Sequence, residues 1–268
     1  MRLLTKEWYQ TMTDSGLGVL LVTDDRAAVF SEALYQQLRE EKLHQWLDDQ
    51  RELRAYLEEP YDEAAERQSF AEFHSRELEE FQTRTPEKIL RKVADIRVLA
   101  LGLCTEEVYR DFEDYRALCQ KWTEKTMEEA WNMCVSQGLE KVWTGEHSLH
   151  DAFVRSMKWE GEDLIIEFEV EDPEERLADI RENDPELLEE MGEAHFLFPE
   201  IKAIRFRDAE ILKQEQPVEN VWWLYDEIWK TDRGYEIHAL LWREHGVFEL
   251  TIECREPEIE WTISPAEQ

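Results

Sequence analysis

Glycine is scarce in this chain: nine residues in 268, with no order among them that could cradle a phosphate. Gly16-Leu17-Gly18 lacks the third glycine and the strand-then-helix setting of a dinucleotide loop, so it reads as a plain turn. There is no G-x-x-x-x-G-K-[ST] loop, no G-x-S-x-G elbow and no H-E-x-x-H helix, which removes the usual nucleotide, serine-hydrolase and zinc-protease signatures. Nor does any acidic segment keep the residue order and central glycine of an EF-hand. Cysteine is equally sparse. Cys104, Cys119, Cys134 and Cys254 form no C-x-x-C pair, and three of them fall in strongly helical sequence, so they read as small apolar core residues and not as zinc ligands. Long apolar runs are missing too: Leu17 to Val22 falls far short of the roughly 20 residues a bilayer span needs. Met1-Arg2-Leu3-Leu4-Thr5-Lys6-Glu7-Trp8 meets charge too early for a secretory signal. The expectation is a cytoplasmic, bacterial-type protein that engages no membrane.

Positive charge is the largest deficit. Thirty-one Lys and Arg stand against 64 Asp and Glu, a formal net charge of -33. Such a surface repels nucleic-acid phosphates and anionic lipid and steers cationic partners toward itself, so a basic protein is the expected partner and nucleic acid is not. What is present in quantity is core material. The chain is 42% hydrophobic, with eleven Trp, eleven Phe and eight Tyr, which distinguishes it from an acidic disordered tail. The acids are spread along the whole chain and so read as solvated faces.

From Leu3 to about Gln137 apolar residues recur every three to four positions. Phe30, Leu34 and Leu38, then Leu43, Trp46, Leu47, Leu53 and Leu57, form one stripe that Pro60 ends. A second helix is expected over 62–82. Thr85-Pro86-Glu87 reads as an N-cap with proline at the first helical position, and Ile89, Val93, Ile96 and Ala100 make the buried face of a helix ending at Gly102. A long helix should follow from Thr105 to Gly138, with Val108, Phe112, Tyr115, Cys119 and Trp122 on its inner side. After His147 the period becomes two. Phe153, Met157 and Trp159, then Leu164, Ile166, Phe168 and Val170 around Glu160-Gly161-Glu162, predict a hairpin. Ile204 with Phe206, Trp223 with Tyr225, Ile237 with Leu241, Phe248 to Ile252 and Ile259 with Trp261 predict further strands, with turns at Arg233-Gly234 and His245-Gly246. The expected class is α+β: a helical bundle over residues 1–145, then a mainly antiparallel β domain over 146–268 with an acidic helical insertion near 172–195. There is no internal sequence repeat.

Leu4-Thr5-Lys6-Glu7-Trp8-Tyr9, the segment from Val93 to Gly102, and Leu149-His150-Asp151-Ala152 carry a resemblance, as do Trp222-Trp223-Leu224-Tyr225 and Gly234-Tyr235-Glu236-Ile237-His238. Over nearly its whole length the chain resembles an uncharacterised bacterial domain-of-unknown-function family, found mainly in Gram-positive bacteria. That likeness implies no activity and transfers no catalytic residue. The β half is loosely similar to small toxin-immunity proteins, which pair an L-H-D-A-like opening with an alternating hairpin.

His147, His150 and Asp151 make the candidate polar site. Two imidazoles three residues apart beside a carboxylate could hold a metal, but no third ligand has a diagnostic spacing, and a hydrogen-bonded His150–Asp151 corner at the start of the first strand is the preferred reading. Glu66, His74 and Glu77 lack the E-x-x-H order of a di-iron bundle, since Ala71 stands where glutamate is needed; they read as a solvated or salt-bridged face. Asp95 and Arg97 lie in an apolar helix and should be partnered there. Trp222, Trp223 and Trp229 are candidate binding aromatics, with burial in a central strand as the competing reading. Neither metal nor cofactor is expected. The function read from the sequence is a non-catalytic cytoplasmic binding or regulatory protein, immunity-like in one form; the alternative is a metal-assisted hydrolase using His147, His150 and Asp151.

Overall fold

Side-chain caps set where the helices begin. The computed structural model describes residues 2–139, 143, 149–170, 177, 178, 181, 201–244 and 246–262. Its helices are α1 (Lys6–Asp14), α2 (Glu32–Tyr56), α3 (Glu63–Arg84), α4 (Glu87–Leu90), α5 (Ile96–Leu99) and α6 (Glu106–Ser136). Ser31 opens α2 by accepting from the Leu34 amide, and Asp62 opens α3 by accepting from Ala64 and Ala65. Among the described residues no helix is long and apolar enough to cross a membrane.

One expectation fails at Thr85. The residue ends α3, its amide donating to the Phe81 carbonyl at 3.2 Å, and its hydroxyl meets no hydrogen-bond partner. The single helix expected behind it is two short ones, because Asp95 turns its carboxylate onto the Arg97 amide at 3.0 Å and starts α5 as a separate N-cap. Helical period in the apolar residues survives this interruption, which is why the sequence hides it. The amino-terminal half is also not wholly helical. Strand β1 (Val22–Thr23) pairs in parallel with β2 (Leu103–Cys104), where Gly102, at φ +81, presents its carbonyl to the Val22 amide.

Spatial proximity groups residues 10–123 into one unit and residues 1–9 with 124–268 into another, so the division falls inside α6. In the first, α2, α3 and α5 bury Leu38, Leu43, Leu47, Phe70 and Val98, while Leu17, Phe81, Ile89, Leu99 and Phe112 form a neighbouring cluster.

The second unit is built on eight strand segments: β3 (Ala152–Glu160), β4 (Asp163–Phe168), β5 (Ile201–Arg207), β6 (Glu210–Gln214), β7 (Val221–Lys230), β8 (Tyr235–Arg243), β9 (Gly246–Cys254) and β10 (Glu256–Trp261). All pair antiparallel, in the order β10-β5-β4-β3-β7-β8-β9-β6. The two ends of that order are the same two long strands. Phe206 faces Pro257 and Arg207 faces Glu256; beyond one interruption, Glu210 faces Glu253 and Ile211 faces Ile252 in unbroken register. The interruption is a kink at Asp208, φ +49, pinned by the Arg255 amide on the Arg207 carbonyl and by an Arg255–Asp208 ion pair at 2.9 Å. The eight segments therefore close into a ring of six strands, an antiparallel barrel. Alternation does the filling: Leu164, Ile166, Ile204, Phe206, Val221, Trp223, Leu241, Phe248 and Ile252 point inward. The ring is two three-stranded meanders, β3-β4-β5/β6 and β7-β8-β9/β10, joined first to first and last to last, a twofold scheme of which the sequence carries no trace. The acidic insertion expected near 172–195 lies outside the described residues apart from Leu177, Ala178 and Arg181.

Candidate functional site

His150 and Asp151 meet. The imidazole Nδ1 lies 2.9 Å from an Asp151 carboxylate oxygen, and the His150 ring stacks edge-on against Tyr225 with centroids 4.6 Å apart. Asp151 takes the left-handed conformation, φ +64, which a short polar side chain tolerates. Its amide donates to the Trp223 carbonyl at 2.8 Å while the Ala152 amide returns to Leu149, so the corner locks the start of β3 to β7. His147 lies outside the described residues, as does His245. Among the described residues no three His, Cys, Asp or Glu side chains gather as a metal cluster.

The three tryptophans do not converge. Trp223 is fully buried in the barrel, Trp222 is 40% exposed and touches Phe153 edge-on at 5.0 Å, and Trp229 lies further along β7 with a buried indole N–H that makes no hydrogen bond. A register shift between Trp223 and Tyr225 inserts an extra residue in β7. That bulge brings Asp226 back to the inner side, three residues after Trp223. In the helical unit, Glu66 and His74 are buried and not solvated: Glu66 pairs with Arg54 at 3.5 Å, and the Tyr35 hydroxyl lies 3.3 Å from His74 Nε2. Asp95 and Arg97 pair at 2.8 Å, with Glu32 as a second partner for the arginine.

A further polar grouping in the barrel unit centres on Asp226 and Glu227, neither of them among the candidates read from the sequence. Asp226 accepts from both Trp143 Nε1 and Trp223 Nε1, the latter at 2.8 Å, and burial raises its pKa against the lowering effect of those two donors. Its neighbour Glu227 points to the other side of the sheet. There Oε1 accepts the amides of Leu3 and Leu4, each at 2.8 Å, fixing the amino-terminal segment across β7. Burial raises the Glu227 pKa as well, against the lowering effect of the Leu4 and Leu3 amides and of the neighbouring Trp229 indole. Glu227 faces His238 across β7 and β8, and His238 faces Thr251 across β8 and β9, with 3.2 Å between His238 Nδ1 and the Thr251 hydroxyl. Burial, then the nearby Arg2 charge, lowers the His238 pKa to about 4, so this imidazole is neutral at physiological pH. Arg2 pairs with Glu236, Lys6 pairs with Glu215, and Trp8 packs edge-on against Tyr225 at 4.8 Å.

Beside these carboxyls lies a cleft of about 300 Å3 walled by Met127 and Trp131 of α6, by Trp143 and Leu4, and by Asp226 and Glu227 of β7. The sequence signal was available: Asp226-Glu227 is the one acidic pair inside the apolar run from Val221 to Trp229. Charges in a strand otherwise apolar on both faces need buried partners or a ligand. No family model, curated protein or solved structure matches the chain.

Proposed function

We propose that the protein is a cytoplasmic, non-catalytic binding protein whose partner presents a basic protein surface. The observation that carries this reading is the composition of two exposed helix faces in the helical unit. On α2, Asp49, Glu52, Leu53 and Tyr56 share one face, with Tyr56 84% exposed. On α6, Asp114, Leu118 and Trp122 follow one another at four-residue spacing, and all are exposed, Trp122 contrary to the inner position expected from the sequence. Asp49, Glu52 and Asp114 take part in no ion pair among the described residues. Carboxylates that form no ion pair among the described residues, set beside large apolar side chains, supply the two elements of a charge-steered interface: a field that speeds encounter and anchors that slow dissociation. In one concrete, immunity-like form the acidic face covers the cationic nucleic-acid site of a nuclease toxin.

The test begins with recovery of a partner on immobilised full-length protein and continues with its binding kinetics. Association should slow steeply as salt rises, because exposed charges are screened over about 8 Å at physiological ionic strength. Asp49→Asn with Glu52→Gln should lower the association rate, and Tyr56→Ala should raise the dissociation rate. A rate indifferent to salt and to all three substitutions, or a partner that proves to be nucleic acid, overturns the reading.

A further inference from the structure

The outer face of the barrel carries a row of side chains that the core does not use. Phe153 on β3 pairs with Trp222 on β7, Trp222 with Trp242 on β8, and Trp242 with Val247 on β9, so four adjacent strands present an apolar side chain at one level. Their chain neighbours Val154, Trp223, Leu241 and Phe248 fill the interior, which turns the row outward. Trp222 and Trp242 are 40% and 39% exposed, and directly opposed side chains on neighbouring strands stand about 5 Å apart, so the two indoles make one platform. All four strands are paired on both sides, so a partner here meets side chains and not a free strand edge.

The surroundings select the partner's charge. Arg243 donates to the Pro217 and Glu219 carbonyls, which holds Glu219 at the same end of β7 and β8 as Glu244. Both glutamates are exposed and form no ion pair among the described residues. Cation–π contacts among the described residues fall on Tyr61, Phe73, Phe30 and Tyr35, which leaves the two indoles to a cation from outside. A planar guanidinium stacks on an indole and is more weakly hydrated than an ammonium, so arginine suits the platform better than lysine.

We propose that the Trp222–Trp242 platform receives an arginine side chain of the basic partner, its guanidinium stacked on the indoles and Glu219 with Glu244 supplying the local negative charge. This rests on the reading that the partner is a basic protein and adds, on the barrel unit, the side chain by which it is recognised.

The experiment titrates the isotope-labelled full-length protein with acetyl-tetra-arginine amide and, in parallel, with acetyl-tetra-lysine amide, which has the same charge without the planar group. Indole N–H resonances are followed, those of Trp222 and Trp242 being identified by their loss in Trp222→Ala and Trp242→Ala. Both signals should shift saturably with the arginine peptide, which should bind roughly two- to fivefold more tightly than the lysine peptide. Trp242→Ala should remove that preference, and Asp49→Asn with Glu52→Gln should leave it intact. If Trp222→Ala fails to fold because Phe153 loses its neighbour, Trp242→Ala, at an exposed side chain, decides. Equal binding of the two peptides, unmoved Trp222 and Trp242 signals, no saturable binding in the millimolar range, a preference that survives Trp242→Ala, or one that Asp49→Asn with Glu52→Gln abolishes overturns the proposal. Because the peptides report on the platform, each of these failures leaves the salt dependence of the partner's association, and with it the broader reading, standing.

Discussion

Trp223 donates its indole N–H to Asp226, three residues later on the same strand, at 2.8 Å. In a regular strand residues three apart face opposite sides; the bulge between Trp223 and Tyr225 puts these two on the same side. With Trp143 as the second donor, both carboxyl oxygens are engaged inside the barrel wall.

Asp226→Asn should therefore destabilise the protein despite its near-identical shape. The amide offers one acceptor and turns an NH2 toward the other indole donor, leaving one buried N–H unsatisfied at a cost of about 1–3 kcal/mol. Urea denaturation followed by tryptophan fluorescence measures this, and an unchanged midpoint contradicts the clamp.

Gly234 is the tightest point of the β7–β8 turn. A Cβ there would lie 2.3 Å from the Cys254 carbonyl oxygen and 2.7 Å from Arg255 Cα, and φ is +143. Neither neighbour is a flexible side chain, and both belong to the long strand that closes the ring. Gly234→Ala should cost roughly 3 kcal/mol or more through overpacking and backbone strain. The readout is loss of near-ultraviolet circular dichroism at a temperature the wild type withstands, while Gly161→Ala, with open space around its Cβ position and φ +68, should be the milder change.

His238 imposes a pH dependence. Its folded-state pKa, about 4, lies below the ordinary imidazole value of 6.5, so between those values the unfolded chain binds more protons than the folded one. The stability associated with keeping the imidazole neutral is whole above pH 6.5 and is lost as pH falls toward 4. Glu227, facing it across the strands, has a raised pKa and contributes with the opposite sign, and Arg2 and Glu249 also act on the ring. The measurement is the difference between wild type and His238→Gln: melting temperature should fall less steeply in the variant from pH 6.5 to 4. Parallel curves count against a buried neutral histidine.

Glu215 gives a second, lower window. The hydrogen bond from Lys6 is the main cause that brings its pKa down to about 2 from 4.5, so its contribution is present above pH 4.5 and disappears as pH falls toward 2. Lys6→Met should remove part of the acid-sensitive stability between those values, read from melting curves of both proteins. Identical acid limbs show that the pair is without effect.

The α+β class and nearly every long element were legible in the sequence because helical and strand periods are local properties. Two features escaped for physical reasons. Asp95 breaks a helix through its own side-chain hydrogen bond, which apolar spacing does not record. Strand β6 and closure of the ring depend on register between residues 36 to 60 positions apart, and no local pattern encodes that. The candidate polar site was half legible: His150 with Asp151 form a corner, His147 lies outside the described residues, and Trp222, Trp223 and Trp229 sit in three separate environments along one strand. The anchoring of Leu3 and Leu4 by Glu227 spans more than two hundred residues, beyond any local reading.

Joining the two meanders last to last has a consequence during synthesis. Residues 10–123 complete their own contacts as soon as they leave the ribosome, but the first meander must wait with unpaired strand edges until the residues of β9 and β10, as far as Trp261, have emerged. Leu3 and Leu4, among the first residues made, wait for Glu227. Nascent chains stalled before residue 246 should accordingly hold a folded helical unit beside an open, aggregation-prone half-ring, and chaperone dependence should concentrate in that interval of translation.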